Sequence, residues 1–302
     1  MVHEIRFAER LHCAMESTGS VVCVGLDPVV EKLPSGIKER MGETVSAVDE
    51  FCHGVINAVA GRVAAVKFQS ACFERLGTLG LEIMHARMAH AANVGLAVIL
   101  DAKRGDIALT AGHYAAAAKQ SGAHAVTLSG YMGVEVAEPF LKQGMGVFLL
   151  VRTSNPEGDR IQRAMLEDGR TVAQMMADET ARLGAGWISS RGISDVGAVV
   201  GATQASEAAE LRARMKDQVF LIPGYGAQGG TKDDIRVMLR SGMKDGERAG
   251  TSGVLVTSSR AIIYAYDDQA WQSDHAGKHW TEAVTLAAVK MTEELREVVG
   301  LG

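Results

Sequence analysis

The residues of this sequence most suited to chemistry follow a single apolar run. The run from Leu96 to Leu100 predicts a buried strand, and the next six positions carry Asp101, Lys103, Arg104 and Asp106. Asp101 and Lys103 are two residues apart, so their side chains share one face of an extended strand. Opposite charges side by side keep the lysine protonated and the acid ionised. Such an alternation is either a catalytic charge array or a plain ion-pair network.

A second segment could bind a phosphate group. The stretch Pro223 to Gly230 is rich in glycine and precedes a predicted helix that begins near Thr231. Backbone N–H groups in such a loop, together with the first turn of a helix, attract anions. Arg260, farther along the chain, can donate two parallel hydrogen bonds to a phosphate. Ordinary turn chemistry is the alternative interpretation of the glycines.

The elements that must position these residues are short apolar runs rich in β-branched residues. Their nearly continuous apolar character is typical of parallel strands that are covered on both faces. The segments between them have helical periodicity, and several end in glycine, as helices commonly do. The predicted strands are 21–27, 63–69, 96–103, 125–130, 146–153, 196–201, 219–224 and 254–259. The clearest predicted helices are 77–95, 110–122, 171–184, 205–215 and 231–242.

Eight strand–helix units in one chain of this length predict an α/β fold, the (β/α)8 TIM barrel. A doubly wound sheet is the alternative. In such a barrel the catalytic residues lie at the carboxyl ends of the strands, and the loops after strands seven and eight commonly bind phosphate. Lys67, near the end of the second predicted strand, would then point into the same mouth as Asp101 and Lys103. The glycine-rich loop and Arg260 would lie opposite them.

The bulk composition limits the classes of function. The chain has 302 residues, 47% of them hydrophobic, and a net charge of −5 at pH 7. This charge argues against a protein that binds nucleic acid or acidic membranes. Since no low-complexity linker divides the chain, we expect one barrel domain over 1–302. Some connections are longer than a minimal barrel needs and are expected to be insertions, namely 28–48, 155–170, 241–253 and 264–279.

The cysteines and the apolar runs indicate a cytoplasmic protein. The amino-terminal segment has no apolar stretch of the kind found in signal peptides. No apolar run approaches the roughly 20 residues of a membrane span. No two cysteines form a CxxC pair, which predicts free thiols in a reducing compartment. The four cysteines are Cys13, Cys23, Cys52 and Cys72.

One histidine pair has the spacing of metal ligands. His275 and His279 are four residues apart, as two ligands on a helix would be. Gly277 lies between them and no acidic partner of known geometry is evident, so a surface loop is favoured.

Taken together, these motifs resemble those of the orotidine 5′-phosphate decarboxylase family, over most of the chain. Asp101 to Ile107 resembles the family's Asp-x-Lys-x-x-Asp-Ile signature, and Lys67 resembles its strand-two lysine. Thr153 to Pro156 resembles its strand-five serine motif, and Pro223 to Gly230 resembles its phosphate loop. The length of the chain and the sequence DAKRGDI resemble the longer bacterial branch of the family. The combination is highly specific, whereas Asp-x-Lys-x-x-Asp alone also occurs in related phosphosugar enzymes.

The resemblance implies an enzyme that converts orotidine 5′-phosphate to uridine 5′-phosphate and carbon dioxide, the last step of de novo pyrimidine synthesis. It implies no metal and no organic cofactor, and a homodimer whose active sites are shared. Lys103 would protonate C6 as carbon dioxide leaves, Asp101 would lie beside the substrate carboxylate, and Lys67 would contact the ribose and hold the charge array. Asp106, Ile107 and Thr110 would come from the partner subunit.

The resemblance also implies the residues that bind the rest of the substrate. Asp27 would meet the ribose hydroxyls, Ser154 the pyrimidine, and Asn155 the ring or the phosphate. The remaining residues implied are Gln228 and Arg260 at the phosphate, with Pro223, Gly224, Gly226, Gly229 and Ser259 completing the substrate-binding set. The chain departs from some family members at Ala108, where they carry proline, and 156–170 has no clear counterpart.

Two other functions remain as alternatives. A magnesium-dependent phosphosugar lyase or decarboxylase would share the barrel and the Asp-x-Lys-x-x-Asp motif. Such an enzyme needs an acidic residue at the position of Lys67, where a lysine repels a cation. A non-catalytic phosphoribosyl-binding barrel would lack one of Lys67, Asp101, Lys103 and Arg260, but the sequence has all four.

Overall fold

Eight parallel strands close into a barrel in the computed structural model, which describes residues 5–42, 44–202, 205–226, 229–267 and 279–301. Each strand pairs with the next along the chain, and the eighth pairs with the first. The (β/α)8 barrel is therefore confirmed, and the doubly wound alternative is wrong. The strands are β1 (Val22–Leu26), β2 (Ala65–Gln69), β3 (Ala97–Arg104), β4 (Ala125–Leu128), β5 (Gly146–Arg152), β6 (Val196–Val200), β7 (Phe220–Ile222) and β8 (Val254–Ser258).

Helices follow the strands and form the outer layer. The segments predicted as helical are helical in the structure, except that the helix predicted over 231–242 ends at Arg236. The backbone N–H of Arg240 donates to the carbonyl of Ser252 instead, at 2.9 Å, which takes the chain out of helical geometry. The described helices are α1 (Phe7–Thr18), α2 (Ser35–Met41), α3 (Val45–Val59), α4 (Ser70–Glu74), α5 (Gly77–Asn93), α6 (Ala108–Gln120), α7 (Glu138–Leu141), α8 (Asp159–Gln162), α9 (Val172–Gly184), α10 (Ala205–Arg214), α11 (Lys232–Arg236), α12 (Arg248–Thr251), α13 (Arg260–Ile263) and α14 (Trp280–Val299).

The predicted insertions contain short helices. A 3-10 turn at Val30–Lys32 and α2 lie in 28–48, α8 lies in 155–170, and α12 lies in 241–253. Part of 264–279, including His275, lies outside the described residues. Among the ranges that the structure describes, no helix is both long and apolar enough to cross a membrane. The four cysteines are all free thiols.

The core lies inside the barrel and between its strands and helices, because the strands are buried almost throughout. Helix α1 closes the end of the barrel where the strands begin. Phe7 packs edge-on against Phe148, with ring centroids 5.7 Å apart. Gly146, the first residue of β5, leaves room for this ring, since a Cβ there would lie 1.9 Å from it. One end of the barrel is thus sealed, and the other is left for a site.

A buried arginine fastens the amino-terminal ends of β7 and β8 to α10. The Arg212 side chain is buried and donates to four backbone carbonyls, those of Met215, Gln218, Met238 and Gly253, at 2.7–2.8 Å. Its guanidinium also lies 3.5 Å from the centroid of the Phe220 ring. The Gly253 carbonyl also accepts from the Phe220 N–H of β7 at 2.8 Å, and Arg212 supplies hydrogen bonds to the buried carbonyls of Met215, Gln218 and Met238.

We predict that Arg212→Met destabilises the protein by about 2–4 kcal/mol, because it leaves buried carbonyl groups without donors. Urea unfolding of the purified variant measures the effect. Arg236→Met is the matched control: Arg236 is half-exposed, and its ion pair among the described residues is with Asp233 on its own helix, so a change within about 0.5 kcal/mol is expected. Equal shifts of the urea midpoint in the two variants would contradict the role given to Arg212.

Candidate active site

The open end of the barrel holds a cavity of about 340 Å³, within the size range of small-molecule sites. Side chains at the carboxyl ends of the strands line it, as the fold predicts. It is lined by Asp27, Lys67, Gln69, Asp101, Lys103, Thr127, Leu150, Thr153, Ser154, Asn155, Val199, Leu221, Pro223, Gly224, Tyr225, Thr257, Ser258, Ser259 and Arg260.

The Asp101 carboxylate is the centre of a hydrogen-bonded charge array. Lys67 Nζ donates to Asp101 Oδ2 at 2.9 Å, and Lys103 Nζ donates to Asp101 Oδ1 at 2.7 Å. The Thr127 hydroxyl donates to Asp101 Oδ1 at 2.8 Å. Lys67 Nζ also lies 3.7 Å from Asp27 Oδ1, so its ammonium group stands between two carboxylates. Acids and lysines thus alternate across the floor of the cavity.

Burial and charge act in opposite directions on this array. Burial by itself raises the pKa of Asp101, but the ammonium groups of Lys67 and Lys103 outweigh it and hold that pKa at about 2. Burial by itself lowers the pKa of Lys67, but the carboxylates of Asp27 and Asp101 outweigh it and raise that pKa. The Asp101 carboxylate is therefore ionised and the Lys67 ammonium group is protonated at neutral pH.

A bulge in β3 sets the position of Lys103. The register between β3 and β4 shifts between Leu100 and Arg104. Lys103 has φ +46°, the only left-handed backbone conformation among the described residues other than glycine. Such a conformation costs roughly 1–3 kcal/mol and persists where the surroundings impose it. Here the Lys103 backbone N–H donates to the Thr127 hydroxyl at 3.0 Å, and the side chain turns back to Asp101.

The Asp27 carboxylate lines the cavity, and its side chain is 31% exposed. Asp27 Oδ1 is buried and accepts no hydrogen bond from any residue that the structure describes. The backbone around it is fixed, because the Tyr264 hydroxyl donates to the Asp27 carbonyl at 3.1 Å and accepts from the Val29 N–H at 2.8 Å. A buried acceptor without a hydrogen bond is costly, and the Lys67 ammonium group 3.7 Å away offsets part of this cost. The exposed part of the carboxylate is left for a ligand hydroxyl.

The loops after β7 and β8 form the opposite side of the cavity. Gly224, Gly226 and Gly229 have positive φ angles, which a glycine adopts without strain. The Gly226 N–H donates to the Gly230 carbonyl at 3.0 Å and so closes the loop. Arg260 begins α13, and its guanidinium forms no ion pair with a described residue. Its charge is therefore available for an anion.

Ser154 and Asn155 follow β5 and line a third side of the cavity. Ser154 lies against Gly201, just after β6, where a Cβ would come within 2.9 Å of the Ser154 Cβ. Glycine at this position therefore permits the close approach. Ser259 has a similar relation to Gly25 in β1, where a Cβ would lie 1.9 Å from the Ser259 Oγ.

Several predicted site residues do not line the cavity. Asp106 lies just before α6, where its Oδ1 accepts from the adjacent Ile107 N–H at 2.8 Å, and Ile107 is 64% exposed. Thr110 is half-buried on α6. Gly226 lines a shallower neighbouring cavity that shares Arg260 with the first. Gly229 lies in the same loop but lines neither cavity. Gln228 falls outside the described residues.

Other residues at the cavity carry no motif signal. Gln69 and Thr127 lie at the ends of β2 and β4 and contact Asp101. Inspection of the strand-four end could have found Thr127, but threonine is common in strands and its role depends on the bulge opposite it. The sequence also left Arg104 unexplained. Arg104 pairs with Glu74 at 2.9 Å and lies over the Tyr114 ring, 5.3 Å from its centroid, so it fastens α4 and α6 to β3.

The chain is similar to proteins of one enzyme family. A family model described as orotidine 5′-phosphate decarboxylase / HUMPS family matches residues 20–273. Proteins named orotidine 5′-phosphate decarboxylase are 38% identical in Rhodopirellula baltica, over 96% of this chain and 99% of that one, and 40% identical in Salinispora tropica, over 87% and 91%. The structure of Leishmania donovani OMP decarboxylase superimposes with a TM-score of 0.76 at 31% identity, over 98% of this chain and 99% of that one.

We predict that Asp101 contributes a pH-dependent part of the stability. Because its pKa is lowered to about 2 from an ordinary 3.8, its contribution of about 2 kcal/mol is complete above pH 5 and is lost as the pH falls towards 2. The free energies of unfolding of the parent and of Asp101→Asn should therefore converge by this amount between pH 5 and pH 2. Urea titrations at half-unit pH intervals measure the convergence.

The matched control is Asp233→Asn, since the Asp233 side chain is 85% exposed. It should differ from the parent by a nearly constant amount over the same pH range. A pH-independent difference for Asp101→Asn would show that the two lysines do not depress the pKa of this carboxyl group.

Proposed function

Because the chain belongs to the orotidine 5′-phosphate decarboxylase / HUMPS family, we propose that it converts orotidine 5′-phosphate to uridine 5′-phosphate and carbon dioxide, the last step of de novo pyrimidine synthesis. The observation that carries the proposal is that Lys67 and Lys103 both donate to the Asp101 carboxylate inside the cavity. We also propose that the chain forms a single catalytic domain, since the strands that build the cavity extend from residue 22 to residue 258.

The charge array matches the electronic demands of this reaction. When the bond between C6 and the carboxylate breaks, the electron pair stays on C6, a ring carbon that resonance stabilises poorly. The Lys103 ammonium group offsets that charge and transfers its proton to C6, which forms the C6–H bond of the product. The Lys103 side chain is 47% exposed, so solvent can return the proton.

Asp101 and Lys67 prepare this step. Asp101 holds both ammonium groups in place and lies beside the substrate carboxylate, a like-charge contact that disappears as carbon dioxide leaves. Lys67 reaches the ribose and keeps Asp101 ionised. The array is held by its own hydrogen bonds before the substrate arrives, so little reorganisation is needed in the transition state.

The sides of the cavity suit the other parts of the substrate. The exposed part of the Asp27 carboxylate accepts from a ribose hydroxyl, and Arg260, which has no ion pair with a described residue, binds the phosphate together with the glycine-rich loop. Ser154 and Asn155 face the pyrimidine from the third side. Binding energy from the remote phosphate can lower the barrier at C6.

The position of Lys67 weighs against the magnesium-dependent alternative. Its ammonium group lies 2.9 Å from Asp101 and 3.7 Å from Asp27, between the carboxylates that a divalent cation would need. A cation there would meet a like charge or have to displace the lysine. The non-catalytic alternative is disfavoured because Lys67, Asp101, Lys103 and Arg260 all line one cavity. We therefore propose a reaction without metal or cofactor.

An exposed apolar surface supports a homodimer. Ile107, Leu109, Tyr131 and Met132 are 64%, 78%, 90% and 55% exposed and follow β3 and β4, next to the cavity mouth. Large apolar side chains grouped at a surface commonly mark a protein interface. A second subunit seated there would bring its own Asp106 close to the mouth. We propose a cytoplasmic homodimer in which Asp106, Ile107 and Thr110 serve the neighbouring subunit's site.

The first prediction of this proposal is turnover without metal. The purified protein should convert orotidine 5′-phosphate in the presence of EDTA, followed by the change in ultraviolet absorbance. Lys103→Ala should lower kcat by a factor of about 10² to 10⁴, the usual contribution of a positioned acid.

Lys142→Ala provides the matched control. Lys142 is exposed and pairs with Glu138 on the outer surface, so its removal should leave kcat unchanged. No turnover by the parent, or turnover only with added magnesium, would overturn the proposed function. Activity of Lys103→Ala close to that of the parent would overturn the proton-donor role alone.

The shared site gives a second prediction. Asp106→Ala and Lys103→Ala should each be nearly inactive, but mixed subunits should regain activity, because a hybrid dimer contains one intact site. With equal amounts and free exchange, about half of the dimers are hybrids, each with one working site of two, so about a quarter of the parental activity is expected. Light scattering measures the dimer, and a tag on one variant verifies the exchange. No recovery after verified exchange would contradict the sharing of the site.

A further inference from the structure

The last residue of β5 is an arginine whose charge lies inside the protein. The Arg152 side chain is fully buried. Its Nε donates to Glu207 Oε2 on α10 at 2.7 Å, and its Nη2 donates to Asp159 Oδ1 on α8 at 2.8 Å. A third donor, Nη1, reaches Gln162 Oε1 at 3.2 Å. One guanidinium thus ties the loop after β5 to the helix after β6.

Gln162 extends this connection to the cavity wall. Its Oε1 accepts from the Thr153 backbone N–H at 2.9 Å, and its Nε2 donates to Thr153 Oγ1 at 2.8 Å. The Thr153 hydroxyl in turn donates to Asn155 Oδ1 at 2.7 Å. Thr153 and Asn155 line the cavity, whereas Arg152 and Gln162 do not. A continuous set of hydrogen bonds therefore runs from a buried charge to the wall.

A second bulge directs Arg152 away from the cavity. Leu150 lines the cavity, and in a regular strand Arg152 would point the same way. The register between β5 and β6 shifts between Leu150 and Arg152, so the arginine reaches α10 in the outer layer instead. The backbone adds a further tie, since the Gly201 N–H donates to the Arg152 carbonyl at 2.8 Å.

We propose that Arg152 and Gln162 are positioning residues that hold Thr153, Ser154 and Asn155 as a preformed wall against the pyrimidine of the substrate. This inference rests on the proposed function, which supplies the identity of the ligand. A wall that is already in place costs less ordering when the ligand binds, so the ties act on affinity for the base. They do not touch the reacting atoms.

The phosphate side of the cavity is separate from these ties. Arg260 follows β8 and Pro223 follows β7, whereas Thr153 follows β5. Around the barrel, β5 and β8 are three positions apart. Loosening the β5 loop should therefore weaken contacts to the base and leave contacts to the phosphate intact. This separation distinguishes a positioning role from a general effect on the fold.

The test uses Asp159→Asn and Gln162→Leu in the full-length protein, with uridine 5′-phosphate and inorganic phosphate as ligands in calorimetry. Each variant should raise the Kd for uridine 5′-phosphate and the KM for orotidine 5′-phosphate about fivefold to tenfold, the size of one ordinary hydrogen bond, because the lost tie acts on the wall and not on the ligand itself. The Kd for phosphate should stay within about twofold of the parent. Gln162→Glu keeps the acceptor for Arg152 and Thr153 and should restore most of the affinity.

Asp168→Asn is the matched control, because Asp168 lies in the same loop but pairs with Arg170, not with Arg152. It should bind both ligands like the parent. Hydrogen exchange of a peptide spanning 149–163 provides a readout that needs no activity: the Thr153 amide should exchange faster in Gln162→Leu than in the control.

Two results would overturn the positioning role. One is that Asp159→Asn and Gln162→Leu both bind uridine 5′-phosphate as tightly as Asp168→Asn does. The other is an equal loss of affinity for uridine 5′-phosphate and for phosphate. If the parent itself failed to bind uridine 5′-phosphate, the proposed function would fail, while the exchange measurement would still show whether Gln162 ties Thr153.

Discussion

The Asp101 carboxylate, buried between two ammonium groups, is the interaction on which the rest of the site depends. A buried carboxylate without partners would become protonated, and a buried lysine without partners would lose its proton. Asp101 and Lys67 prevent this for each other through a hydrogen bond of 2.9 Å, and Lys103 places a second ammonium group 2.7 Å from Asp101. Removing one member leaves the others with an uncompensated charge, so the array has to be considered as a unit. Its geometry is set by the protein and not by the ligand.

The barrel supplies that geometry through departures from regular strands. Regular alternation would place Asp101 and Lys103 on one face, but the bulge in β3 turns the Lys103 backbone to φ +46°. Thr127 on β4 holds the turned backbone through its hydroxyl and also donates to Asp101. The bulge in β5 has the opposite effect, because it removes Arg152 from the cavity and assigns it to the outer layer. Bulges near sites commonly redirect side chains in this way.

The sequence predicts the parts of this site that follow from periodicity and strand ends. All eight strands overlap their predicted runs, and Lys67, Asp101 and Arg260 line the cavity because they lie in the carboxyl-terminal half of a strand or just after one. Arg104 could not be explained from sequence, since its partner Glu74 is 30 residues away on another element. The role of Arg152 was also not predicted, because the regular alternation of side chains along a strand gives no sign of a bulge. Local sequence patterns cannot predict contacts that depend on strand register or on residues far apart in the sequence.

The balance of charge in the array has a further consequence for the proposed reaction. Asp27, Asp101, Lys67 and Lys103 carry two negative and two positive charges, so the array is neutral before the substrate binds. The substrate carboxylate adds one negative charge beside Asp101, and the loss of neutral carbon dioxide moves that charge to C6. Lys103 pairs with one carboxylate, whereas Lys67 lies between two, so Lys103 is the lysine freer to transfer its proton, which removes the charge from the ring. A neutral array gives the carboxylate no excess positive charge that would hold it in place. The Arg260 guanidinium, which has no ion pair with a described residue, attracts the phosphate that remains in the product.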